Sequence, residues 1–401
     1  MEEALAREHP GAATIDGAAG AGSRLAAVLP AELKLGVSPP TGGNHLGLLS
    51  DTRSVQDLWW RLLEDAKQHV HVVFFAWHDD ETGRAFRDLL EKKAGEGVVI
   101  RVLYDAMGCR ELPRRFFDRL RARGGQAAAF LPVRLLAFTP LLNFRNHRKL
   151  VIVDGRRAYT GGVNVTDEYL EWEDIGVEIE GPAVNALQEV FVDDWHFATS
   201  EELTASSYFP RVVPSGDRDA NAVCRVVASG PDQVFNATRD MLFLAISQTR
   251  ERLWIATPYF IPGDALIMAL RTMVYRGIDL RIFVPGKSDS PIVQRASRAY
   301  YDELIQSGVA IYEYDGMLHA KAFLFDDDVT MIGSANLDIR SVRLNFELSM
   351  LIESRQLGHE LANWFDVIGR RSTRIGREHL ARRSRINRLG DAVAHILSPL
   401  L

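Results

Sequence analysis

Residues 54–68 (SVQDLWWRLLEDAKQ) carry apolar side chains at helical spacing, and 70–77 (VHVVFFAW) is a nearly unbroken apolar run of strand length. A helical stretch over 83–94, a glycine turn and a strand over 98–104 follow. The same order then returns. Helical spacing over 241–249 precedes a strand run at 253–260 (LWIATPYF), a helix over 265–276 and a strand over 277–285 (GIDLRIFVP). Helix and strand alternating in this way predict an α/β fold. The repeat, at an offset of roughly 170–180 residues, predicts two duplicated lobes. Each is expected to be a mixed β-sheet flanked by helices, the pair related by pseudo-twofold symmetry. The expected divisions are an Ala/Gly-rich, disordered tail over 1–43, a first lobe over 44–212, a second over 213–368, and an Arg-rich C-terminal segment over 369–401.

Each lobe contains one short polar pattern. Residues 147–154 read HRKLVIVD and residues 319–326 read HAKAFLFD, both His-x-Lys-x4-Asp. The first copy supplies His147, Lys149 and Asp154; the second supplies His319, Lys321 and Asp326. A small-residue turn and an asparagine follow each, Gly161-Gly162-x-Asn164 and Gly333-Ser334-x-Asn336, with 17 residues from His to Asn in both. A carboxylate comes next, Asp174 at 27 residues from its His and Glu347 at 28. The apolar runs 150–153 and 322–325 predict strands that anchor the motif in the core. Agreement at five positions points to two half-sites that together make one active site.

This residue set suits phosphodiester chemistry. One imidazole attacks phosphorus and forms a phospho-histidine; the other protonates the leaving oxygen and then deprotonates the acceptor. Lys149, Lys321, Asn164 and Asn336 are donors for the phosphate oxygens. Asp174 and Glu347 suit the task of holding each histidine through its other ring nitrogen. Asp154 and Asp326 belong to the motif counted as catalytic, yet they end the strands, and a structural role as turn residues is favoured over a catalytic one. The spacing contains no metal-ligand cluster, so the expectation is no metal and no cofactor.

Composition narrows the partners. A net charge of −6 and a pI near 6.0 disfavour a nucleic-acid binder, although a local basic patch is compatible with them. Cys109 and Cys224 stand in opposite halves and read as free thiols. No window approaches the ~18 apolar residues of a membrane span. Two segments are candidates for lipid docking: the apolar 131–142 (LPVRLLAFTPLL), and the run from Arg370 to Arg388 with eight arginines.

The doubled motif resembles that of the phospholipase D superfamily. NFRNHRKLVIVDGR (143–156), TGGVNVTDEY (160–169) and IEGPAV (179–184) are similar to the first half of bacterial cardiolipin synthases. SGPD (229–232), TPYFIP (257–262), PGKSDS (285–290), GSANLDIRSVRLNFE (333–347) and the terminal LSPLL are similar to the second. The resemblance implies transfer of a phosphatidyl group between two phosphatidylglycerol molecules, giving cardiolipin and glycerol. It implies His147 as nucleophile and His319 as acid/base, although the lobes' equivalence leaves that order open. It also implies an anionic bilayer of phosphatidylglycerol and cardiolipin as partner, and a cytoplasmic protein held peripherally on the inner face of the membrane. Members commonly begin with two membrane helices, so this chain resembles a shorter kind. Glu173 stands where a basic residue is more usual, beside the site. Hydrolysis to phosphatidic acid by the same histidines is the alternative, and a nuclease of the superfamily a weaker one. Oligomeric state is left open.

Overall fold

The computed structural model describes residues 36–132, 143–211, 222–381, 384 and 390–394. The first lobe contains β1 (Thr41–Leu49), β2 (His69–Phe74), β3 (Val99–Asp105), β4 (Gln126–Phe130), β5 (Arg145–Asn146), β6 (Leu150–Val153), β7 (Arg157–Gly161) and β8 (Gly176–Glu180). The second contains β9 (Ala222–Ser229), β10 (Arg252–Ala256), β11 (Asp279–Pro285), β12 (Ala310–Tyr314), β13 (Ala322–Phe325), β14 (Val329–Gly333), β15 (Asn345–Glu353) and β16 (Ser372–Ile375). The sheet order is β16-β12-β11-β10-β13-β14-β15-β9-β1-β8-β7-β6-β2-β3-β4. Read outward from the β9–β1 boundary, both lobes give the same sequence of equivalents, with β16 added at one edge. The predicted duplication is therefore present as topology.

The predicted helices lie at Thr52–Asp65, Glu81–Gly95, Ala237–Gln248 and Gly263–Tyr275. The equivalent helices Thr52–Asp65 and Ala237–Gln248 start alike, with Asp51 accepting from the Ser54 amide and Asn236 from the Arg239 amide. Two predicted strands end early. β10 stops at Ala256 because Pro258 has no N–H for a ladder. β2 stops at Phe74, where the chain turns so that the Ala76 amide donates to Asn164 Oδ1. β1 starts at Thr41, three residues before the expected lobe boundary.

One core lies between the lobes and each lobe has a second core of its own. The shared core takes Leu150 and Ile152 from β6 with Leu324 from β13, and both buried helices, Ala183–Thr199 and Arg355–Arg370, pack into it. Alternate residues of the motif strands, Val151 with Val153 and Phe323 with Phe325, face the outer cores. Each motif strand is thus buried on both faces.

A buried histidine pair outside the motifs ties β2 to the helix Ala183–Thr199. His71 stacks on Phe191 with centroids 4.3 Å apart, and its Nδ1 lies 3.0 Å from Gln188 Oε1. His69 packs edge-on to Tyr208. Burial drives the His69 imidazole from 6.5 down to about 4, and that of His71 well below its usual range. The unfolded chain therefore takes protons that the native one refuses. This stability is present above pH 6.5 and is lost as pH falls toward about 4. For His69 alone the loss is on the order of 3 kcal/mol. Thermal unfolding from pH 7 to pH 4 should show a falling Tm, with a flatter profile for His69→Phe; equal slopes in both proteins would contradict the assignment.

Candidate active site

Both motif histidines sit at the seam, and each is built into the other lobe. The His147 amide donates to the Phe346 carbonyl at 2.9 Å, and the His319 amide donates to the Glu173 carbonyl at 2.7 Å. The residue after each carbonyl supplies the carboxylate. His147 Nδ1 lies 3.1 Å from Glu347 Oε2, and His319 Nδ1 lies 2.6 Å from Asp174 Oδ2. The pairing is crossed: each imidazole is oriented by the opposite lobe. Sequence spacing showed two histidines and two carboxylates but carried no sign of the crossing. With Nδ1–H donating to a carboxylate, each ring keeps its Nε2 lone pair.

The carboxylates are themselves fixed. Ser334 Oγ donates to Glu347 Oε2 at 2.5 Å, and Asn345 Nδ2 donates to Oε1 at 3.1 Å. Asp174 accepts from the Ile175 amide at 2.8 Å. Gly162 is required beside it, because a Cβ there would lie 2.2 Å from Asp174 Oδ1. Burial works to raise both carboxyls. It is outweighed by His319 at Asp174 and by His147 at Glu347, so both sit below the usual carboxylate range.

Lys149 and Lys321 lie behind the imidazoles, fully buried. Lys149 Nζ donates to the His147 carbonyl at 2.6 Å; Lys321 Nζ donates to the His319 carbonyl at 2.5 Å and sits 2.8 Å from the ring nitrogens. Burial lowers both lysines, Lys149 well below its usual range and Lys321 to about 8. Burial and the neighbouring Lys321 push His319 down to about 4 against the pull of Asp174. Burial also lowers His147, against Glu347. Burial thus favours the neutral form of both rings near pH 7.

The two rings open on a cavity of about 350 Å³, lined also by Phe75, Tyr169, Tyr259 and Asn336. Phe75 packs on His147 and Tyr169 on His319, each edge-on. A second cavity, of about 430 Å³, lies at the far end of β13 against Asp326 and contains neither motif histidine.

Three sequence expectations are corrected. Asp154 and Asp326 are not at the site. Each closes its strand at the end away from the histidine, in the left-handed region at φ 54°. Asp154 accepts from the amides of Lys67, Gln68 and His69, and Asp326 from those of Arg250, Glu251 and Arg252. They brace the motif strands at the end opposite the histidines. Asn164 is also committed elsewhere: Oδ1 accepts from Ala76 and Nδ2 donates to the Tyr169 hydroxyl at 2.6 Å, so it supports a wall of the cavity. Asn336 does line the cavity.

Sequence reasoning missed the clamp beneath His147. Arg148 pairs with Asp194 at 2.5 Å and donates to the Glu347 and Ser229 carbonyls, while Asn146 donates to Asp194 and takes Asp105 on its amide. Arg148 is the unspecified residue of the motif, so no spacing rule reaches it. Glu173 points away from the cavity to Tyr314, Trp364 and Arg371, joining the lobes beside His319.

Paired lobes with one imidazole each at a common seam make up the architecture of the phospholipase D superfamily. Residues 60–195 and 242–368 match the family model described as cardiolipin synthase, PLD-like domain. The chain is 38% identical over 387 residues to cardiolipin synthase A of Pseudomonas putida, covering 94% of this chain and 80% of that protein. It is 37% identical over 372 residues to the major cardiolipin synthase ClsA of Bacillus subtilis, covering 90% and 76%. Against cardiolipin synthase 2 of Bacillus cereus the identity is 37% over 347 residues, covering 84% and 67%. The fold matches phosphatidylserine synthase of Haemophilus influenzae with a TM-score of 0.69 at 15% identity, over 89% of this chain and 95% of that one. Polyphosphate kinase of Porphyromonas gingivalis matches at 0.56 and 13%, over 84% and 49%. The chain belongs to the cardiolipin synthase family of the phospholipase D superfamily.

Proposed function

We infer that this chain is a cardiolipin synthase, a phosphatidyltransferase that joins two phosphatidylglycerol molecules and releases glycerol. The observation that carries the chemistry is the crossed pair of carboxylate-held imidazoles facing one cavity. In this reading His147 Nε2 attacks the phosphorus of the first lipid. The P–O bond to its glycerol breaks, and His319 supplies the proton to the leaving oxygen. His319 then takes the proton of the acceptor hydroxyl, whose oxygen attacks phosphorus as the P–N bond breaks. Lys149, Lys321 and Asn336 balance charge on the phosphate oxygens. An entering phosphodiester raises the depressed imidazole and lysine pKa values, so the proton needed for the first step is drawn in with the substrate.

The direct test is product analysis on phosphatidylglycerol vesicles, with and without EDTA. Cardiolipin and glycerol are expected in equal amounts, and chelation should leave the rate unchanged. Phosphatidic acid as the main product would return the chain to the hydrolase reading; activity restored by one specific divalent ion after EDTA would contradict a metal-free mechanism.

We further propose a peripheral seat on the cytoplasmic, anionic face of the membrane. Among the described residues no helix is long and apolar enough to cross a bilayer. The loop after β9 leaves Val234 90% and Phe235 57% exposed, at the same end of the sheet as Glu347. The described arginine-rich part instead runs along β16 away from that end, and Leu380 packs on the second lobe's core. Arg382, Arg383, Arg385 and Arg388, and residues 133–142 of the apolar segment, lie outside the described residues. Vesicle co-sedimentation separates the candidates. Val234→Asp with Phe235→Asp should weaken binding while sparing cleavage of a soluble short-chain lipid. Neutralising Arg382, Arg383 and Arg385 tests a salt-sensitive contact, screened over about 8 Å at physiological ionic strength. Full binding by both variants would leave 131–142 as the docking segment.

A further inference from the structure

The cavity extends past the imidazoles to a second set of polar groups that the transfer chemistry leaves unused: Arg145, Arg340 and Asn345. Arg145 and His147 are two residues apart on extended chain, so they share a face, about 6.5–7 Å apart. Asn146 between them points the other way, into Asp194. Arg340 comes from the second lobe, on the helix Ile339–Arg343, and its Nη2 donates to the Asn143 carbonyl at 3.2 Å. Burial, with Arg340 nearby, holds the Arg145 guanidinium below its usual range against the pull of Asp105. Two guanidiniums on one cavity wall favour an anion beside them, in addition to the pull of Asp105 on Arg145.

Asn345 lines the same cavity, directly opposite Arg145 in the β5–β15 pairing. Its Nδ2 donates to Glu347 Oε1, which fixes the amide's orientation, since a flipped amide would set oxygen against carboxylate. Its Oδ1 is consequently a buried acceptor with no donor among the described residues. Leaving such an oxygen unsatisfied costs about 1–3 kcal/mol. The wall therefore offers an anion site and, next to it, an acceptor for a hydroxyl.

We propose that Arg145 and Arg340 bind the non-reacting phosphodiester of the acceptor phosphatidylglycerol, with Asn345 Oδ1 accepting its central glycerol hydroxyl. The inference rests on the transfer reading. The terminal hydroxyl of that glycerol then reaches the phosphatidyl-histidine. Its oxygen bonds to phosphorus, the P–N bond breaks with its electrons returning to the ring, and the hydroxyl proton passes to the other imidazole. Water and free glycerol lack the second phosphate, so the site selects a lipid acceptor over both.

The test compares two reactions of Arg340→Gln and Arg145→Gln. One is cardiolipin formation at limiting phosphatidylglycerol. The other is exchange of the phosphatidylglycerol headgroup with labelled glycerol, whose acceptor has no phosphate. Loss of a charge-assisted contact predicts at least about a tenfold drop in cardiolipin formation, mainly through KM, and a drop below about threefold in exchange. Exchange also reports that the variants are folded. Phosphatidic acid should rise as a share of product, and Arg340→Lys should recover part of the lost rate. Parallel loss of both reactions overturns the inference, because the arginines would then serve the reacting phosphate or the fold. Unchanged cardiolipin formation overturns it alone. Wild-type protein that forms phosphatidic acid and no cardiolipin overturns the transfer reading itself, and this inference with it.

Discussion

His147→Ala and His319→Ala should each lower cardiolipin formation by on the order of 10⁴-fold or more, because nucleophile and acid/base act as a unit. The two losses separate with a better leaving group. A phosphatidyl ester of p-nitrophenol needs no protonation to depart, so it bypasses the general acid. On that substrate His319→Ala should still release a burst of nitrophenol and accumulate a phosphatidyl adduct on His147, visible as a mass shift of the corresponding peptide. His147→Ala should give no burst. The reverse pattern would exchange the two roles without altering the site; a burst from both variants would mean that neither ring is the nucleophile.

The second large effect concerns the crossed carboxylates. Asp174→Asn and Glu347→Gln should each lower turnover by about 10³–10⁴-fold with little change in KM, since an amide can present its NH2 to Nδ1 and drive the ring proton onto Nε2. The affected histidine is in the other lobe. Asp174→Asn should therefore behave as a His319 variant and keep the nitrophenol burst, and Glu347→Gln should behave as a His147 variant and lose it. The opposite assignment would show that each carboxylate serves the histidine of its own lobe. Asp174 also balances the buried Lys321, so a thermal melt beside the kinetics distinguishes lost orientation from lost fold.

Much of this arrangement was legible in the sequence, for reasons that differ between residues. The lobes were readable because each repeats one alternation of apolar runs, and β6 and β13 were readable because their four-residue runs are buried on both faces. His147 and His319 stood out by a motif repeated at identical spacing, and Asp174 and Glu347 by intervals of 27 and 28 residues. The same intervals do not by themselves tell Asp154, Asp326 and Asn164 from the cavity residues: residues that brace the framework repeat as faithfully as residues that face the cavity. Spacing within one lobe also says nothing about contacts between lobes. The crossing, the Arg148 contact with the Ser229 carbonyl and the position of Arg340 against Asn143 depend on the seam, where partners lie 81 to 200 residues apart.

The exchange of carboxylates across the seam has a consequence during synthesis. When the first lobe leaves the ribosome, His147 has no Glu347 and Asp174 has no His319. A half-made chain thus holds neither histidine in its working tautomer, and a truncated one never will. Reactivity toward the host's own lipids is switched on only when the last third of the polypeptide has been threaded into place, so completion of the fold acts as the safety catch on the chemistry.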